Sequence, residues 1–130
     1  MKILLTGANG YIGMRVLPLL LDLGHEVVCA VRSADRLSVD KETKNKINII
    51  EVDLLDDVKP NLFPKDIDVA YYLVHSMTSS NSNFSKKEQT TAENFNAYMK
   101  DTTVKQVIFL SGIVNEDNLS EHLESRKNVE

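Results

Sequence analysis

The sequence has no tryptophan and a single cysteine among its 130 residues. With Cys29 alone, no intramolecular disulfide can form and no cysteine-rich zinc site exists. A reducing, cytoplasmic setting is the default expectation. His25, His75 and His122 are too scattered to complete a metal set with it. Positive charge is scarce as well: 15 lysines and arginines face 19 aspartates and glutamates, for a net charge of −4. That balance gives no support to a nucleic-acid or anionic-membrane surface. Long apolar runs are missing too. The longest span about six residues, as in Val69–Val74, whereas a membrane-spanning helix needs about 20. The first apolar stretch is too short for a signal peptide, whose core needs about 7–15 residues.

What is present suits one folded domain over residues 1–130. At about 100–200 residues per domain, this length corresponds to one domain or part of one. Hydrophobic residues make up 42%, enough for a core and too many for a disordered chain.

Strand-like and helix-like patterns alternate. Lys2–Thr6 is a short apolar run that stops at glycines, as a buried strand does. Ile12, Val16, Leu19, Leu20 and Leu23 then recur with helical spacing, and Gly24 ends the helix. Pro18 removes one internal hydrogen bond and is expected to bend it. Glu26–Val31, Ile47–Val52, Ile67–Val74 and Val104–Leu110 read as four further strands. Ser33–Lys46 reads as a loop with a short helical piece, and Asp56–Phe63 as a short helix closed by Pro64. Ser76–Ser82 is a polar loop. Ser85 with Glu88 fits a capping box, and Phe84, Thr91, Phe95 and Tyr98 give one helical face down to about Thr102. Another helix is expected from Leu119. Strands alternating with helices predict an α/β fold with a parallel, doubly wound sheet. The chain stops at Glu130 inside a helical pattern, the expectation for the N-terminal part of a longer protein.

The strongest motif is Thr6-Gly7-Ala8-Asn9-Gly10-Tyr11-Ile12-Gly13, between a strand and a helix. That setting converts a weak glycine pattern into a dinucleotide-binding signal. Gly7 permits the tight turn, Gly10 lets the backbone approach a pyrophosphate, and Gly13 lets helix and strand pack closely. The helix N-terminus offers free N–H groups to the phosphates. A triphosphate-binding loop would need lysine and a hydroxyl residue after the last glycine, where Met14 and Arg15 stand. An acidic residue after the second strand would favour NAD. Arg32 stands there instead, 19 positions after Gly13, with Arg36 one turn later. Arginines suit a 2′-phosphate, so NADP(H) is favoured over NAD(H). Read as ordinary charges, the same two arginines are solvated loop residues.

TGANGYIG, VRSADRL after strand two, EVDLLD after strand three, YYLVHSM at strand four and FLSG at strand five together resemble the short-chain dehydrogenase/reductase superfamily. More narrowly, they resemble its atypical NAD(P)H-binding branch, similar to nitrogen-metabolite-repression-regulator-like proteins and nucleoside-diphosphate-sugar epimerases. The resemblance covers the whole chain but only the N-terminal half of a usual member. It implies a Rossmann fold with strand order 3-2-1-4-5. It implies that Thr6, Gly7, Asn9, Gly10, Tyr11, Ile12 and Gly13 line the cofactor. It also implies that Asp53 and the backbone at Leu54 lie against the adenine, and that Leu73, Val74 and His75 border the ribose and nicotinamide. Asp53 read alone is equally a turn or helix cap.

The superfamily usually carries a tyrosine, and a lysine four residues later, on the helix after strand five. Here the resemblance places His122 and Arg126 at those positions, and Ser111 near the usual serine. Histidine can act as a general acid near neutral pH, whereas arginine holds its proton and can only bind. Two functions follow. One is the cofactor domain of an oxidoreductase or epimerase-like enzyme acting on a small carbonyl or sugar-like substrate. The other is a non-catalytic NADP(H)-sensing module. An uncovered edge strand leaves pairing with a second copy open.

Overall fold

The computed structural model describes residues 1–74 and 84–110. The first strand, β1 (Lys2–Thr6), turns through the glycines into α1 (Tyr11–Asp22), and β2 (Glu26–Val31) follows. A single 3₁₀ turn at Ala34–Arg36 and the short α2 (Lys41–Lys46) lead to β3 (Ile47–Glu51). The chain then reaches β4 (Val69–Tyr72), α3 (Phe84–Lys100) and β5 (Gln106–Phe109). All strand pairs are parallel, and the sheet order is β3-β2-β1-β4-β5. That is the order the resemblance implies.

Alternation along the strands builds a core on each face. Leu4, Val28, Ala30, Ala70 and Tyr72 point to one side, where Phe95, Tyr98 and Met99 of α3 cover them. Ile3, Leu5, Val27, Cys29 and Val31 point to the other, against Leu17 and Leu20 of α1. The sheet is therefore doubly wound. Burial pushes the Cys29 thiol up to about 12, so it is a small apolar core residue rather than a nucleophile.

Helix α1 ends as its sequence suggests. Gly24 takes φ +82, its N–H donates to the Leu21 carbonyl, and the His25 N–H donates to the Leu20 carbonyl. This double bond pattern needs the left-handed residue that glycine supplies. Its buried face differs from the expected stripe, however. Gly13, Leu17 and Leu20 are buried, whereas Leu19 and Leu23 are 63% and 73% exposed. The helix is apolar nearly all round, so periodicity alone could not choose its face. Close contact at Gly13 does.

The short helix expected over Asp56–Phe63 does not form. The residue four beyond Asp56 is Pro60, which has no N–H to offer the Asp56 carbonyl. Asn94 takes that carbonyl instead. The Lys59 N–H goes to the Tyr98 hydroxyl at 3.0 Å, and Asn61 adopts φ 59. Tertiary partners thus satisfy the backbone groups a helix would have paired. Strands three to five are one to four residues shorter than their apolar runs. Helix α3 runs from Phe84, which puts Ser85 inside it rather than at its N-cap, and Glu88 is buried.

Candidate functional site

Thr6 fixes the end of β1. Its buried Oγ1 donates to the Tyr71 carbonyl at 2.7 Å and accepts from the Leu73 N–H at 3.2 Å. The hydroxyl therefore ties the carboxyl end of β1 to that of β4. Immediately afterwards Gly7 takes φ +66, a left-handed conformation that side chains resist. A Cβ there would also stand 2.9 Å from the Leu73 carbonyl oxygen.

The turn closes when the Gly10 N–H donates to the Gly7 carbonyl at 3.0 Å. Gly10 is the N-cap of α1, and the Met14 N–H donates to its carbonyl at 2.9 Å. No side chain caps this helix, and no acidic residue lies in its first turn. The first N–H groups and the positive end of the helix dipole are thus left for an external anion. Gly13 completes the turn: a Cβ there would lie 2.3 Å from the Gly7 carbonyl oxygen and 2.8 Å from the Ala8 Cα. These features fit a pyrophosphate, because a carboxylate cap or a larger residue would fill the same space. Asn9, Tyr11 and Ile12 are exposed at the mouth of the turn. Arg15 lies over the Tyr11 ring, 3.5 Å from its centroid, and donates to the Tyr11 carbonyl.

The other expected residues that are described sit on the same carboxyl edge of the sheet. Arg32 directly follows β2 and Arg36 lies in the 3₁₀ turn; both are exposed, and neither has a carboxylate partner among the described residues. Asp53 follows β3, and its Oδ1 accepts from the Leu55 N–H at 2.9 Å. That bond is the turn role its sequence position also allowed. Leu54 is buried in the α3-side core. Leu73 and Val74 follow β4 and are half-buried. Burial and the nearby Glu88 charge raise the Tyr72 pKa, so this hydroxyl keeps its proton. His75, Ser111, His122 and Arg126 lie outside the described residues.

Two residues in this region were not singled out from sequence. Arg15 could have been noticed as an i,i+4 partner of Tyr11. Asn94 of α3 donates through Nδ2 to the carbonyls of Leu54 and Asp56, at 2.6 and 3.1 Å. Its only sequence signal is a weak helix former in mid-helix.

A profile of the NAD(P)H-binding family matches residues 7–129. No curated protein sequence matches the chain. Among solved structures, the chain is similar to a UDP-glucose-4-epimerase from Stenotrophomonas maltophila with bound NAD and formylated UDP-arabinopyranose. That match has a TM-score of 0.73 at 18% identity, over 99% of this chain and 46% of that one. A short-chain dehydrogenase/reductase family protein matches with a TM-score of 0.72 at 13% identity, over 99% and 63%. The yeast methylglyoxal/isovaleraldehyde reductase complexed with NADPH matches with a TM-score of 0.62 at 20% identity, over 85% and 37%. The chain spans 48% and 38% of the lengths of two further structures, one of them a UDP-galactose 4-epimerase. At these identities the likenesses establish a shared fold. Among the described residues, no helix is long and apolar enough to cross a membrane. By its profile match and its sheet order, the chain belongs to the NAD(P)H-binding family and carries the Rossmann fold of the short-chain dehydrogenase/reductase proteins.

Proposed function

We propose that this chain is the NADP(H)-binding domain of a cytoplasmic reductase or epimerase-like enzyme acting on a small carbonyl or sugar-like substrate. The observation that carries the reading is the uncapped N-terminus of α1, closed against the turn at Gly13. Gly7, Gly10 and the first-turn N–H groups of Tyr11 and Ile12 would hold the pyrophosphate. Arg32 and Arg36, exposed past β2, would hold the 2′-phosphate and set the preference for NADP(H). Asp53 and the backbone at Leu54 would lie against the adenine. Leu73, Val74 and His75 would border the nicotinamide. When bound, the nicotinamide supplies hydride transfer; the protein orients it and excludes water.

Ser111, His122 and Arg126 are the proposed catalytic group, with His122 as proton donor and Arg126 as ribose anchor. A sensing module is the second reading. The sequence favours it at one point, the presence of His122 and Arg126 where the superfamily usually has tyrosine and lysine. Turnover by the protein, lost in His122→Ala, supports the enzyme. Cofactor binding without turnover supports the sensor.

The cofactor assignment is tested by titrating the chain with NADPH and NADH in parallel, following nicotinamide fluorescence. Tryptophan is absent, so protein emission interferes little. Tighter binding of NADPH, and loss of that preference in Arg32→Ala, is the expected result. Equal affinities that Arg32→Ala leaves unchanged would refute the NADP(H) assignment.

A further inference from the structure

The loop that follows β3 is held in three ways. Asp53 accepts the Leu55 N–H through its side chain and the Asp56 N–H through its carbonyl, at 2.9 and 3.0 Å. The third hold comes from 38 to 40 residues away, where Asn94 on α3 reaches the carbonyls of Leu54 and Asp56. A side-chain amide carries two N–H donors on one nitrogen, so a single Nδ2 can serve both oxygens. Asparagine is a poor choice in mid-helix on propensity alone. Here it supplies a bond that a good helix former such as alanine could not.

The loop lies at the carboxyl edge of the sheet, two strands from the glycine turn. Its Leu54 side chain is anchored in the α3-side core. The Asp56 carbonyl, denied a helical partner by Pro60, is satisfied by Asn94 instead. Pro60 thus keeps this segment from continuing as a helix, and Asn94 holds the loop where it stands.

We infer that Asn94 is a positioning residue for the adenine end of the dinucleotide site, setting the Asp53–Asp56 loop from helix α3 without touching the cofactor. The inference rests on the dinucleotide reading above.

The test uses the wild-type chain, Asn94→Asp and Asn94→Ser. The first variant keeps the side-chain shape but turns carboxylate oxygens toward two carbonyls. The second is milder and removes the reach. Each is checked for fold by circular dichroism, then titrated with NADPH and, by displacement, with adenosine 2′,5′-bisphosphate. Both variants are expected to bind NADPH and the adenosine fragment about tenfold more weakly, by the same factor for each ligand. Amide exchange at Leu55 and Asp56 should accelerate while β1 and β2 stay protected. Unchanged affinities, or a loss for NADPH that the adenosine fragment does not share, would overturn the inference. So would unchanged exchange at Leu55 and Asp56 in a folded variant. A wild-type chain that binds neither ligand would remove the dinucleotide reading, and this inference with it. The exchange result alone would then still report whether Asn94 holds the loop.

Discussion

Gly7 and Leu73 meet backbone to backbone, with room for no Cβ: one built on Gly7 would stand 2.9 Å from the Leu73 carbonyl oxygen. The contact joins the turn after β1 to the segment after β4, at the centre of the sheet. The chain winds outward from β1 to one edge, through β2 and β3, and then to the other, through β4 and β5. A crevice at such a reversal is where open α/β sheets place their ligands. The glycine turn and the end of β4 are thus held in register before any ligand arrives.

Thr6 carries much of that register. Thr6→Val keeps the volume but removes the hydroxyl between the Tyr71 carbonyl and the Leu73 N–H. Both backbone groups lose a partner in a part-buried setting, so stability should fall by about 1–3 kcal/mol. Urea denaturation measures this, and the variant's NADPH affinity should fall as the contact between Gly7 and Leu73 loosens.

Gly13→Ala should be the more damaging of the glycine substitutions. Its Cβ would meet the Gly7 carbonyl oxygen and the Ala8 backbone, neither of which can rotate away. Overpacking of this kind costs about 1–3 kcal/mol. Gly24→Ala has no neighbour within 4 Å and is strained only through its φ of +82. It should lower stability without changing NADPH affinity, since it lies at the far end of α1. Thermal unfolding and NADPH titration of the two variants separate the effects.

At the opposite edge of the sheet, Lys2 Nζ lies 3.0 Å from Asp66 and 3.8 Å from Glu26. The bond from Lys2 lowers the Asp66 pKa, and the bond to Asp66 raises that of Lys2. A lowered carboxylate pKa means that the unfolded state binds more protons in the acid range. Its contribution is present above the unfolded value of about 3.9 and is lost as pH falls through the folded value. For Lys2 the contribution is present below about 10.4 and is lost as pH rises through its folded value. The stability gap between wild type and Lys2→Met should therefore be widest near neutral pH. It should narrow below about pH 4, and in high salt, because Asp66 is exposed. A gap constant from pH 7 to pH 2 would contradict this.

The strands and the glycine turn were legible in the sequence for different reasons, and the strand order came only from the family resemblance. Buried strands such as Leu4–Leu5 and Val27–Val31 announce themselves by composition, and Gly7, Gly10 and Gly13 by spacing. The buried face of α1 was not legible, because an apolar helix has no polar side to orient it. The segment after Asp56 read as a short helix because local pattern could not show that Asn94 and Tyr98 would take its backbone groups. Asp53 was legible as a residue of interest, but only the Leu55 N–H contact shows its local work. Asn94 was missed since its importance lies wholly in what it reaches.

The most direct test is Gly10→Asp. At φ −83 and ψ 174, Gly10 already has the backbone of an ordinary N-cap, and an added Cβ meets only the Gly7 carbonyl oxygen, at 3.3 Å. An aspartate there can cap α1 and bring a charge that the helix dipole favours. The same carboxylate would occupy the anion position and repel a pyrophosphate. The expected result is a chain that still folds, the cap offsetting the tight 3.3 Å contact, together with a loss of NADPH affinity of at least about tenfold. A folded Gly10→Asp chain that binds NADPH as tightly as wild type would contradict the assignment of the α1 N-terminus as the dinucleotide site.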